Sequence, residues 1–162
     1  MYETSLSSYS RKQYVFAKEA RHILLDYCKT ISPEHLVFEN PGFGHRGSIR
    51  NVLVHVANCY QSWINHRILR QPFTSFQFQD YNNIKDIEYL FSLVDEFMEH
   101  YFDFLNNNEG INIEFIKDGI KQSGTPFKIY SHVVTHEFHH KGQILSMSRQ
   151  LGYTPVDTDI MQ

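Results

Sequence analysis

The chain has 162 residues, 41% hydrophobic and 15% aromatic, enough for one hydrophobic core and too apolar for a disordered protein. A net charge of −3 without any block of Lys or Arg excludes the electrostatic footprint of a nucleic-acid binder. No apolar run nears the roughly 20 residues that span a bilayer, Met1–Leu6 lacks a signal-peptide pattern, and two cysteines are too few for a disulfide framework. Together these features predict one cytoplasmic domain over 1–162, with no nucleic-acid or membrane partner.

Residues 3–30 read as a first helix, with Tyr14, Ala17, Ala20, Leu24 and Cys28 at three- and four-residue spacings and Lys12, Lys18, Glu19 and Arg21 on a polar side. Ser32-Pro33-Glu34 has the look of a helix start or short turn. The breaker-rich Glu39–Gly47 segment predicts a loop. Ser48 then caps a second helix to about Leu69. It carries two apolar stripes: Val52, Val56, Cys59 and Trp63, then Leu53, Ala57, Tyr60 and Ile64, with His55 at the edge of the first. A connector follows from Gln71 to Tyr81.

The third helix, about Ile84 to Leu105, has the clearest period. Ile84, Ile87, Phe91, Val94, Met98, Tyr101 and Leu105 form the seam expected of a bundle helix. Ile111–Ile116 alternates, and Asp118-Gly119 is a turn signal before Ile120, so a small hairpin is predicted. Thr125 as N-cap and Pro126 in the first turn open a fourth helix, which Gly152 ends. The expected fold is all-α: a four-helix bundle with a small β-hairpin between helices 3 and 4.

The fourth helix concentrates the chemistry. It places four of the ten histidines within nine residues, at 132, 136, 139 and 140. Residues four apart share a helix face, so His132, His136 and His140 form a ladder that Gln143 continues. Imidazoles in an apolar groove are costly to bury unless their nitrogens are satisfied, and a metal ion does that. His136-Glu137-x-x-His140 also matches the pattern of zinc proteases. Such proteases take a further ligand downstream, and no His or Glu follows His140 here. The better third ligand lies upstream, at His55, which a neighbouring helix can bring level with His136 and His140. Three imidazoles with an open position suit a catalytic zinc or similar divalent ion.

The run Leu53-Val-His55-Val-Ala with Trp63 eight residues on, and His132-x-x-x-His136-Glu-Phe-His139-His140-Lys-Gly-Gln143, resembles the DinB-like (DinB/YfiT) family of metal-binding four-helix bundles. The resemblance spans essentially the whole chain. It implies a divalent metal on His55, His136 and His140, with zinc first and nickel or another ion next. The basic residue before Gly-Gln is usually Arg in the family and is Lys141 here. Characterised relatives include enzymes that use low-molecular-weight thiols such as bacillithiol or mycothiol in S-transfer or isomerisation, and many others have no known reaction.

The expected function is therefore metal-dependent S-transfer from such a thiol co-substrate to a small-molecule electrophile. Hydrolysis of small esters or amides, or metal binding without turnover, are the alternatives. Glu137 is the candidate base or supporting partner, and Gln143 the residue that orients a ring or lines the pocket. His132 is read as a supporting or core histidine, His139 as half exposed and off the metal, Cys59 as a weak alternative ligand, and Trp63 as pocket wall or core. A homodimer is also expected. Val134, Phe138 and Leu145 lie opposite the ladder, as Leu53, Ala57, Tyr60 and Ile64 lie opposite His55. In a lone bundle those faces would meet water.

Overall fold

A computed structural model describes residues 5–161. Helix α1 spans Leu6–Cys28, and Ser5 caps it by accepting from the Ser8 amide; the expected start at residues 3 and 4 lies outside the described residues. The Ser32-Pro33 signal yields a short α2, Pro33–Val37, with Ser32 as cap. Helix α3 (Ile49–Tyr60) starts on Ser48 as read, and α4 (Ile84–Leu105) and α5 (Pro126–Gln150) match their expected spans. Strands β1 (Ile113–Lys117) and β2 (Ile120–Gly124) pair antiparallel between α4 and α5. Asp118 and Gly119 both have positive φ, at 52° and 76°, the geometry a two-residue hairpin turn demands.

Cross-helix hydrogen bonds fix the helix directions. Ser7 donates to the Phe102 carbonyl and Tyr14 to Asp95, while Lys29 pairs with Glu88, so α1 and α4 are antiparallel. Tyr130 donates to the Ser10 carbonyl and Tyr27 bonds Ser148, so α1 and α5 are parallel. His55 meets His136 and Cys59 meets His132, so α3 and α5 are antiparallel. Helices α3 and α4 therefore run the same way, and the long connector between them returns the chain. Asn58 holds that connector by bonding both the N–H and the C=O of Phe76, each within 2.9 Å.

Each of α1 and α3 packs against both α4 and α5, which makes a four-helix ring. All seven seam residues of α4 are buried, as the period predicts. Tyr14, Tyr60, Tyr101, Phe102 and Tyr130 form an aromatic centre, with Tyr101 and Tyr130 stacked at 5.6 Å. No described helix is long and apolar enough to cross a membrane.

Two features differ from the sequence reading. Beyond Tyr60, α3 does not continue as an α-helix to Leu69. It widens to π-helical geometry over Gln61–Ile68, and the Leu69 amide reaches back to the Ile64 carbonyl, an i→i+5 bond. Apolar spacing alone does not distinguish the two, because Ile64 and Ile68 are buried either way. Wide turns of this kind are frequent at functional sites.

The second difference concerns the apolar faces on which a dimer was expected. Leu53, Ala57, Tyr60, Ile64 and Val134 are all at most 5% exposed within one chain, and Phe138 and Leu145 are partly buried. With α3 flanked by α4 and α5, the faces opposite the histidines are the core itself. The histidine ladder lies toward the outside of the α3–α5 seam.

Candidate metal centre

His55 comes from the middle of α3, and His136 and His140 from successive turns of α5. Antiparallel packing of these helices makes the three rings converge. The Nε2 atom of His136 lies 3.1 Å from Nε2 of His55 and 3.1 Å from Nε2 of His140. One ligand atom from each residue fits within a mutual distance of 4.8 Å. The rings are partly buried, His140 most of all at 9% exposed.

Three neutral imidazoles cannot satisfy one another in this arrangement. Each nitrogen is a donor or an acceptor, and His136 Nε2 faces two neighbours at once. Zinc–nitrogen bonds of about 2.0–2.1 Å at tetrahedral angles place ligand nitrogens about 3.3 Å apart. The observed separations are close to that, so the donor set fits a divalent ion. Burial, helped by the charge of Arg46, pushes His55 down to about 4. Burial and the neighbouring histidines push His136 down to about 3, and burial also lowers His140. Neutral rings with free lone pairs are what a metal requires.

Gln143 is tied into this centre. Its Oε1 lies 2.8 Å from His140 Nδ1, and its Nε2 donates to the Phe43 carbonyl at 3.3 Å. The second bond settles which end of the amide faces His140. Nδ1 then carries the proton and Nε2 presents its lone pair to the cluster. Phe43 belongs to the 39–47 loop, a turn of 3-10 helix at Pro41–Phe43. Gly44, at φ +77°, comes close to the Gln143 amide: a Cβ there would sit 4.0 Å from Nε2. The loop is pinned in turn by Asn51, which bonds Glu39 and the Arg46 carbonyl. His136 differs, since its Nδ1 is buried without a hydrogen-bond partner among the described residues.

Glu137, expected as a base or supporting partner, takes its contacts from the core. One residue on from His136 is about 100° of rotation, and that turns the carboxylate into the core. Arg21 Nε donates to Oε1 at 2.6 Å and its Nη2 to Oε2 at 3.1 Å, while the Tyr60 hydroxyl donates to Oε2 at 2.6 Å. Arg21 also bonds Asp95 at 2.8 Å and the Tyr14 hydroxyl at 3.1 Å. Burial works against the Arg21 charge, but Glu137 together with Tyr14 and Tyr60 outweighs it, and the guanidinium is raised well above its ordinary value. The carboxylate is thus engaged by Arg21 and Tyr60 in the core, and among the described residues no hydrogen bond joins it to the three histidines.

The remaining residues fall into place around these. His139 is exposed, its ring 5.0 Å from that of His140. His132 is exposed beside the cluster, its ring 5.7 Å from His136 and 5.2 Å from Trp63, with Cys59 Sγ 4.0 Å from its Nε2. Lys141 turns from the metal side, lies over the Phe138 ring and donates to the Thr158 carbonyl, which ties down the C-terminal tail. A cavity of about 170 Å³ opens between the hairpin and the α3–α5 seam, bounded by Trp63, Phe115, Ile129 and His132. A wider groove of about 570 Å³ lies between α1 and α4; none of the three histidines lines either space, and His132 is what joins the smaller cavity to the cluster.

The sequence reading missed Arg21 and Tyr60 as partners of Glu137, Asp95 as a second partner of Arg21, and the 39–47 loop as a support for Gln143. One signal was available. Arg21 falls on the line Tyr14, Ala17, Leu24, Cys28 at steps of three and four, so it had to be buried and paired.

The family model for the DinB family matches residues 1–162. The chain belongs to the DinB family. It is also similar to the Protein DinB of Bacillus subtilis (strain 168), at 32% identity over 120 residues, covering 69% of each chain. In this DinB-family chain the resemblance of the His55 and His132–Gln143 segments thus coincides with a three-histidine cluster able to hold a metal ion.

Proposed function

We propose that this DinB-family protein is a metal-dependent enzyme that transfers a low-molecular-weight thiol of the bacillithiol or mycothiol type to small electrophiles. His55, His136 and His140 hold one divalent ion, zinc first among the candidates, and Gln143 fixes the His140 tautomer that binds it. The observation that carries this reading is the cluster itself: three nitrogens converge, and among the described residues no fourth protein ligand joins the group. When bound, the ion supplies Lewis acidity that brings the pKa of a bound thiol or water toward neutrality.

The chain's own thiols support an external co-substrate. Cys28 is fully buried and Cys59 is 8% exposed, and burial pushes both up to about 12. Neither is a thiolate at neutral pH. In this reading the attacking sulfur arrives from solution, and the cavity beside His132 offers a place for the electrophile.

The test combines metal analysis with turnover. Protein purified without a nickel column should carry one equivalent of divalent metal, which His55→Ala and His140→Ala should lose and His139→Ala retain. Transfer to a small electrophile should require both the metal and the added thiol. Full activity with the metal confirmed absent would end the reading, whereas ester hydrolysis without thiol would move the assignment to metal-assisted hydrolysis.

A further inference from the structure

The cavity between the hairpin and the α3–α5 seam has a chemistry of its own. Its lining divides into an aromatic corner and a cationic edge. Trp63 meets Phe115 edge-on at 4.9 Å and 87°, and meets His132 at 5.2 Å and 74°, so the indole forms the inner wall. Lys117 from the end of β1 and Lys128 from the first turn of α5 supply the charge. No Asp or Glu lines the cavity, and neither lysine has an ion pair among the described residues. The N-terminus of the 25-residue α5 lies at the same edge, since Gly124 and Lys128 both line the space. Its helix dipole adds to the positive potential there.

Unpaired cations beside an apolar wall select a ligand that is apolar at one end and anionic at the other. Size narrows this further. An apolar cavity of about 150 Å³ holds one benzene ring, and this one is about 170 Å³.

We infer that the cavity bounded by Trp63, Phe115 and His132 binds a small organic carboxylate with one flat ring or chain of similar bulk, its anionic end held by Lys117 and Lys128. This deepens the reading above, because it takes this cavity as the one that presents a substrate to the three histidines. The hairpin is then a specificity element: it contributes Phe115 to the wall and Lys117 to the edge.

Trp63 is the chain's one tryptophan, so its fluorescence reports occupancy directly. The probes are phenylacetate and its neutral isostere phenylacetamide, titrated into chelated, metal-free protein at low salt. Phenylacetate should bind about tenfold more tightly than the amide, an advantage that a Lys117→Gln/Lys128→Gln variant should abolish and added salt should weaken. Both lysines are exposed, so the variant should melt as the wild type does. Equal binding of the two probes, no binding of either, or carboxylate binding indifferent to the lysines would overturn the inference. Carboxylate binding seen only with metal present and independent of the lysines would also overturn it, yet leave the metal reading standing. Lysine-dependent binding without any thiol transfer would uphold the inference and count against the transferase.

Discussion

Glu137→Gln separates the core role of this residue from a catalytic one. The substitution keeps the side-chain volume and removes the charge that faces Arg21 at 2.6 and 3.1 Å and the Tyr60 hydroxyl at 2.6 Å. Arg21 is 5% exposed and keeps Asp95 at 2.8 Å, so it is left with half of its compensation. Breaking a buried charge pair costs about 3–5 kcal/mol, and the retained Asp95 contact places this case at about 3. For a protein of this size each kcal/mol lowers Tm by about 2–4 °C, so a drop of about 6–12 °C is expected. Thermal melts followed by circular dichroism measure this, with metal content taken below the transition, where stoichiometric binding should persist. If the variant melted like the wild type but lost turnover, the carboxylate would be acting on the reaction and the structural role argued for it would be wrong.

Gln143→Leu should weaken metal binding about 10–100-fold by releasing His140 Nδ1, with little change in Tm; competition against a chelator of known affinity measures it, and unchanged affinity would refute the orienting role. Thiol labelling gives a pH-dependent test. Because burial pushes Cys28 and Cys59 up to about 12, both stay protonated across the working range, and a thiol reagent at pH 8 should label neither until the protein is unfolded. Rapid labelling of the native protein at pH 8 would contradict that burial.

The helical framework was legible because its signals are local. The α4 seam repeats over the whole helix, Ser48 and Thr125 cap as read, and Asp118-Gly119 makes the predicted turn. The three histidines were legible for a related reason: two lie one turn apart on one helix, and the third is the only histidine at an apolar edge of α3. What escaped depends on which face of a helix meets the bundle centre. Apolar stripes opposite the histidines were expected at a dimer contact, but a ring of four helices gives α3 neighbours on two sides. The same ambiguity put Arg21 on a solvent face, although its place in the stripe from Tyr14 to Cys28 says otherwise.

The placement of Glu137 connects the core to the metal centre. It follows His136 directly, while its partner Tyr60 lies on α3, five residues beyond His55. The 2.6 Å bond between them therefore joins the two helices that carry all three ligands. Arg21 adds α1 and, through Asp95, α4, so one buried polar cluster reaches all four helices of the ring. Apolar contacts alone tolerate small slides of one helix along another, because they are not directional. Hydrogen bonds between buried charges are directional and costly to leave unmade, and so hold one register. The 39–47 loop acts from the other side by holding Gln143, and through it His140. On this view the three nitrogens converge because the core fixes the helix register and the loop fixes one ring, so a cluster able to hold a metal ion is already formed by the fold.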